Sequence, residues 1–245
     1  MRLGYLLREV ANAQPGLVGQ VGAPSPELIV AGGAPATLSR LVGYWREAHP
    51  EAGPLYWASR SWTMLIWQPL YLLVWATHRC KAVPRLAGMA QRVDGGRVSG
   101  FVLGAHHPLD EARLDARIMA AGVEARALCP QLLADLGLQI RLHPKMAGRL
   151  QADCLLAALL AVARSRPEWT PEYVCGLAGD WLAAAGLAGQ SGLCRFGLPG
   201  GGLGLGLERR VCCQHFRRAD GVLCSSCPRW TAPEREARLR EEWLC

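Results

Sequence analysis

Four cysteines crowd into a short stretch of this 245-residue chain. Residues 212–227 read CCQHFRRADGVLCSSC, so Cys212 and Cys213 are followed after ten residues by Cys224 and Cys227, while the other six of the ten cysteines are dispersed. Four thiolates in two pairs suit a soft centre, either zinc in a four-cysteine site or an iron–sulfur cluster with four cysteine ligands; a redox dithiol is the third reading. Structural zinc usually takes C-x2–4-C at both ends, so that each knuckle curls around one ion. Neighbouring cysteines start with their side chains pointing apart, which suits a wider two-iron rhomb. The spacing favours iron–sulfur and leaves zinc open.

The flanking residues have chemistry of their own. Arg209, Arg210, Arg217, Arg218 and Arg229 against Asp220 give the stretch a local charge of +4. Such a collar would stabilise an added electron and steer an acidic donor or an anionic chelate; the plainer reading is a solvated surface. His215 reads as a non-ligand, because four cysteines already satisfy two irons. Trp230 reads as a cover for the cluster or an anchor for the last helix. That helix opens with the capping box Thr231-Ala232-Pro233-Glu234 and carries Glu234/Arg238 and Glu236/Arg240 pairs, with Leu239 and Trp243 facing inward.

Elsewhere the chemistry thins out. His106, His107 and Asp110 follow a strand and read as a polar loop. Cys154 lies among leucines as a small hydrophobe, and Cys80, Cys129, Cys175 and Cys194 lack paired metal spacing. The Cys245 thiol has no assigned role. The run 197–206, GLPGGGLGLG, has no Lys-Ser/Thr after it and has Arg209 where a third dinucleotide-loop glycine would stand, so it reads as a flexible linker.

The elements that must position the cysteines come from a chain that is 51% hydrophobic and 19% charged, which excludes wholesale disorder. The net charge of +7 is carried almost entirely by arginine, scattered along the chain in a skew that follows codon usage, so nucleic-acid binding is not expected. The start has only a short apolar patch before Arg8, too little for a signal peptide. The longest largely apolar stretch, 62–76, is too short to span a bilayer, so no transmembrane segment is expected, and only a peripheral membrane association stays open. A reducing cytoplasm follows, in which ten cysteines do not make a disulfide framework.

Residues 1–36 contain loops marked by proline and glycine, and Thr37 can cap a helix through 48. The tryptophan-rich segment 56–77 reads as a helical pair or a Pro-kinked helix deep in the core. Segments 89–93 and 98–103 flank Asp94-Gly95-Gly96 as a hairpin. Helices are expected at 110–121, 130–136, 145–164 and 170–185, the last opened by Thr170-Pro171-Glu172 and stopped at Gly186. The fold class is α+β: a predominantly helical main domain over 1–196 with a small antiparallel sheet, the linker at 197–206, and a cluster-binding segment with a terminal helix over 207–245.

The C-C-x10-C-x-x-C-P ending, from Cys212 to Pro228, resembles that of FhuF-like ferric-siderophore reductases. Trp57-Ala58-Ser59-Arg60-Ser61-Trp62 with Trp67-Gln68-Pro69-Leu70-Tyr71 resembles the tryptophan-rich segment of that family, and Gly179-Asp180-Trp181-Leu182 the helix before its cluster region. The resemblance spans roughly 40–230 and implies a [2Fe-2S] cluster with Cys212, Cys213, Cys224 and Cys227 as ligands. It further implies one-electron reduction of a ferric siderophore in the cytoplasm, with electrons from a ferredoxin or flavoprotein reductase. The family's main domain also resembles part of the siderophore synthetases, but no nucleotide loop supports that activity here. The alternative is a zinc- or iron–sulfur-binding regulatory or structural module without reductase activity.

Overall fold

In chain order the elements are α1 (Leu3–Ala13), β1 (Gly19–Val21), β2 (Ile29–Val30), α2 (Pro35–Ala48), α3 (Gly53–Trp75), β3 (Ala82–Val83), β4 (Ala90–Asp94), β5 (Arg97–Leu103), β6 (Leu109–Asp110), α4 (Leu114–Gly137), α5 (Pro144–Arg164), α6 (Pro171–Ala184), β7 (Gly192–Gly197), β8 (Leu203–Glu208) and α7 (Ala232–Leu244). The computed structural model describes every residue except Ala34 and Cys245, and leaves aside the side chains of Pro35, Trp243 and Leu244. The Trp243 side chain, expected to face inward, and the Cys245 thiol therefore lie outside the described residues. The fold is α+β and mostly helical, as expected.

Helix α3 is the axle of the core. Its buried residues run almost all the way round, from Tyr56, Ala58 and Trp62 to Leu72, Val74 and Trp75, the pattern of a helix enclosed by others. It packs against α2, α4 and α5, and the Trp62 indole donates to the Ala147 carbonyl on α5 at 2.9 Å. Of the tryptophans expected deep in the core, Trp62 and Trp75 are buried, whereas Trp57 and Trp67 are only partly so.

The helix is one piece despite Pro69 in its interior. Proline has no N–H, so the carbonyl four residues earlier, that of Leu65, loses its helical donor. The Gln91 side chain from β4 fills the gap, its Nε2 donating to Leu65 O at 2.9 Å. Gln68 Nε2 then donates to Gln91 Oε1 at 3.1 Å, tying the sheet to the turn that holds Pro69. Beyond Trp75 the helix widens into a π turn over Ala76–Cys80 and stops at Lys81, which is left-handed with φ 55°.

The expected hairpin is β4–β5, turning at Gly95-Gly96. Its sheet is mixed, in the order β1-β5-β4-β2: β1 runs parallel to β5 and the other pairs are antiparallel. The N-terminal stretch also holds a helix, α1, which buries Leu3, Leu6, Leu7 and Val10 at i, i+3, i+4 and i+7; no capping side chain marks its start. The two helices expected around 110–136 are the single α4, which continues through Pro130 because Cys129, Leu132 and Leu136 keep one face buried. Gly122 makes the α4–α6 contact close, since a Cβ there would stand 2.3 Å from the Ala184 carbonyl oxygen. Thr170 caps α6 by accepting from the Tyr173 N–H at 3.2 Å. Helix α5 is long and apolar enough to cross a membrane, but 61% of its most apolar window is buried inside the fold.

The glycine-rich run is not a linker. Gly192–Gly197 pairs antiparallel with Leu203–Glu208 throughout, and the turn between them uses Gly200 and Gly201 at φ 94°. The strand glycines make room for neighbours: a Cβ at Gly204 would stand 2.5 Å from the Phe196 ring, and one at Gly206 2.8 Å from Leu239 of α7. Absent side chains here mark close packing rather than freedom.

Candidate metal centre and its cavity

After β8 the chain is irregular and held by local turns. Gln214 adopts φ 63°, and its N–H points at Cys212 Sγ at 3.4 Å. Residues His215–Arg217 form one 3-10 turn. A turn bond from Cys227 N to Cys224 O, 3.0 Å, draws the C-x-x-C pair together. The segment is pinned from three sides. Arg149 of α5 donates to the Arg210 carbonyl at 3.0 Å, Glu51 accepts from the Ala219 N–H at 2.9 Å, and Ser225 of the segment bonds Glu242 of α7.

These contacts bring together the four cysteines singled out in the sequence, all of them free thiols. The sulfurs form a chain: Cys227 Sγ lies 3.7 Å from Cys212 Sγ, Cys212 bonds its neighbour Cys213, and Cys213 bonds Cys224. Two sulfurs on one tetrahedral metal at about 2.3 Å lie about 3.8 Å apart, so the Cys212–Cys227 pair already has the spacing of two ligands to one ion. Among the described residues no group of three or more His, Cys, Asp or Glu converges to hold a metal ion as a single centre. Four thiolates gathered in this way suit a thiophilic centre, an iron–sulfur cluster or zinc.

The electrostatics also suit an anionic sulfur centre. Cys213 is held well below the usual thiol range by hydrogen bonds from Cys212 and then Cys224, with the Arg209 guanidinium adding to the effect. Cys212 and Cys224 are pushed up in turn, chiefly by their bonds to Cys213 and by burial. Arg209 Nη1 stands 3.5 Å from Cys224 Sγ while its Nε donates to Asp153 Oδ2 at 2.8 Å. Asp153 is 3% exposed, and its other oxygen accepts from the Ser191 hydroxyl at 2.6 Å. The two shifts in this pair pull opposite ways. Burial raises Asp153 against Arg209 and Ser191, whereas burial lowers Arg209 but the Asp153 carboxylate outweighs it. Since both Asp153 oxygens accept hydrogen bonds, we take the pair as ionic.

Cys213 and Cys224 are also part of the wall of a cavity of about 500 Å³. One stripe of α3, Tyr56, Arg60, Thr63, Met64, Trp67 and Tyr71, supplies a second wall, and Leu150, Asp153, Cys154 and Ala157 of α5 a third. His215 closes it beside Tyr56, ring centroids 6.4 Å apart, and its imidazole pKa is lowered by burial and then by Arg218.

Other expected residues fall elsewhere. Of the collar, Arg209 turns inward and Arg218 is bound to Asp220 at 2.8 Å, while Arg210, Arg217 and Arg229 are exposed. Trp230 donates to the Cys224 carbonyl at 3.0 Å and carries the Arg238 guanidinium over its ring at 4.0 Å, so it joins the C-x-x-C turn to α7. The capping box is formed, with Thr231 N donating to Glu234 Oε2 at 2.9 Å. Both ring nitrogens of His106 bond backbone, and Asp110 pairs with the N-terminus, so that loop gathers no site. The sequence reading missed the α3 stripe and Asp153. The signal was there in the polar and aromatic Tyr56, Arg60, Thr63, Trp67 and Tyr71 at i, i+4, i+7, i+11 and i+15 of the helix.

Comparison with known families agrees with this geometry. Residues 209–229 match the FhuF 2Fe-2S C-terminal domain. The segment is a domain of FhuF type, and its cofactor is a [2Fe-2S] cluster.

Proposed function

We propose that this protein is a cytoplasmic ferric-siderophore reductase, in which Cys212, Cys213, Cys224 and Cys227 hold the cluster and chelated Fe(III) is reduced to Fe(II) in the adjoining cavity. The observation that carries this reading is that two of the four thiols belong to the cavity wall. A volume of about 500 Å³ falls within the roughly 300–1,000 Å³ common for small-molecule sites.

When bound, the cluster supplies a one-electron carrier whose potential is set by charge, hydrogen bonds and exposure. The chain's own residues set those terms. Gln214 N and Arg209 Nη1 direct positive dipole and charge at the sulfurs, which favours the electron-rich state. Asp153 fixes the Arg209 fork and offsets part of its charge. Trp67, Met64 and Tyr71 give the cavity an apolar face that displaces water from a bound chelate. Fe(III) gains one electron and becomes Fe(II), which hard oxygen donors hold less tightly, so no covalent step is needed. The sequence has no flavin or nicotinamide fingerprint, and the exposed Arg210, Arg217 and Arg229 offer a face for an acidic ferredoxin or flavoprotein.

The test is a single turnover. Dithionite-reduced protein, freed of reductant and mixed anaerobically with a ferric siderophore and a Fe(II) trap, should yield one Fe(II) per cluster as the cluster reoxidises. A cluster that stays reduced across a panel of ferric siderophores would sink the reductase reading.

A further inference from the structure

Three polar side chains meet where the β7–β8 hairpin packs on α5. The last rung of the hairpin pairs Gly192 with Glu208, so Ser191 and Arg209 are the residues just outside it, one on each strand. Both turn to the same carboxylate. Ser191 Oγ donates to Asp153 Oδ1 at 2.6 Å, and Arg209 Nε donates to Asp153 Oδ2 at 2.8 Å. Ser191 and Asp153 are buried, and only 14% of the Arg209 side chain is exposed.

A buried ion pair is a weak means of gaining stability, because apolar side chains of the same volume often do as well or better. Apolar side chains cannot aim a charge. The guanidinium is planar, so fixing its Nε fixes the direction of Nη1, which faces Cys224 Sγ at 3.5 Å. That plane is only as steady as the carboxylate beneath it. One Asp153 oxygen holds Arg209, and the bond from Ser191 to the other stops the carboxylate from turning about its own side chain. Without the hydroxyl, Asp153 and Arg209 keep their charges while the guanidinium loses its fixed direction.

We infer that Ser191 is a positioning residue for the metal centre: acting through Asp153, it keeps the Arg209 charge directed at the Cys224 sulfur and thereby holds the reduction potential of the cluster up. The inference rests on the cluster ligands of the reading above and is independent of what the cluster reduces. Positive charge close to the sulfurs favours the electron-rich state, and its effect falls with distance, so a guanidinium free to swing stabilises the added electron less.

The test uses the intact, cluster-loaded protein equilibrated anaerobically with redox dyes of known potential, the cluster being followed by its absorbance, with urea midpoints measured on the same proteins. Ser191→Ala changes no charge, yet its reduction equilibrium should fall about three- to tenfold, tenfold being about 59 mV for one electron. Ser191→Gly, which also lacks the hydroxyl, should match it, and Ser191→Thr, which keeps the hydroxyl, should return the wild-type potential. Arg209→Lys keeps the charge without the planar fork, and its potential should fall at least as far as that of Ser191→Ala. A wild-type potential in Ser191→Ala, even with a lowered urea midpoint, overturns the inference, because the serine would then be structural only. A wild-type potential in Arg209→Lys overturns it as well, since charge without direction would suffice. Potentials that shift as expected while no ferric siderophore reoxidises the cluster would leave the positioning role standing and remove the reductase reading; unshifted potentials with reoxidation intact would do the reverse.

Discussion

Arg209 and Asp153 are joined at 2.8 Å across 56 residues of sequence, and the same guanidinium reaches the sulfur of Cys224. This contact couples the core helix α5 to the cysteine segment, so the cluster domain is clamped to the helical body by a buried charge. Breaking one side of a buried pair leaves an uncompensated charge, which typically costs about 3–5 kcal/mol. Asp153→Asn and Arg209→Gln should therefore each destabilise the protein by about that amount in denaturant titrations. The double variant should cost clearly less than the sum. Additive losses would show that the two groups do not interact.

The proline in α3 makes a second coupling. Gln91→Leu removes the donor that satisfies the Leu65 carbonyl, at a cost of about 1–3 kcal/mol. In a Pro69→Ala background the restored N–H serves that carbonyl, and the same Gln91 substitution should cost markedly less. A cost independent of residue 69 would mean that Gln91 acts only through packing.

His78 sits buried in the π turn, accepting from the Trp181 indole at 3.0 Å, and burial followed by the Arg117 charge lowers its pKa to about 4. An unfolded histidine has a pKa of about 6.5, so between these values the unfolded chain binds the extra proton. Stability from this group is complete above about pH 6.5 and is lost as pH falls toward 4, by up to about 3 kcal/mol. Comparing urea midpoints of wild type and His78→Gln at pH 7 and pH 5 tests the sign: the wild type should lose more on acidification. Parallel losses would place the acid sensitivity elsewhere.

The cysteine assignment has its own check. Replacing any one of Cys212, Cys213, Cys224 or Cys227 with Ser should remove or strongly alter the visible spectrum of the cluster, whereas Cys154→Ser should leave it intact. An unchanged spectrum in Cys224→Ser would remove that residue from the ligand set.

What could be read from the sequence was local. The cysteine spacing, the Asp94-Gly95-Gly96 hairpin, the Thr170 cap and the Thr231 capping box each depend on neighbours a few residues apart. The strand at 203–208 was hidden because glycine carries no pattern of its own; its role appears only once Phe196 and Leu239 are seen lying across it. Helix α4 ran through Pro130 because burial of one face outweighed a single lost bond. The cavity was hidden for a different reason. Tyr56, Asp153, Arg209 and Cys224 lie far apart in the chain and meet only through the packing of α3 on α5.

The exposed arginines bear on electron delivery. With Arg218 bound to Asp220 and Arg209 to Asp153, the outward positive face is Arg210, Arg217 and Arg229. Changing Arg217 and Arg229 together to Gln should slow second-order electron transfer from an acidic ferredoxin at low ionic strength, and added salt should close the gap. A rate and salt dependence matching wild type would put docking on another face.

If electrons leave the cluster through the cavity, filling the cavity should stop them. Ala157 lines the wall on α5. Reduced Ala157→Phe protein, its cluster intact by absorbance, is mixed in a stopped-flow instrument with increasing ferric siderophore and followed at the cluster band. Reoxidation should saturate in the wild type and fall about tenfold or more in the variant, on the scale of misplacing a bound substrate, with reduction by a small donor unchanged. Equal reoxidation rates in the two proteins would contradict exit through the cavity, because the electron would then leave by a route that does not pass through it.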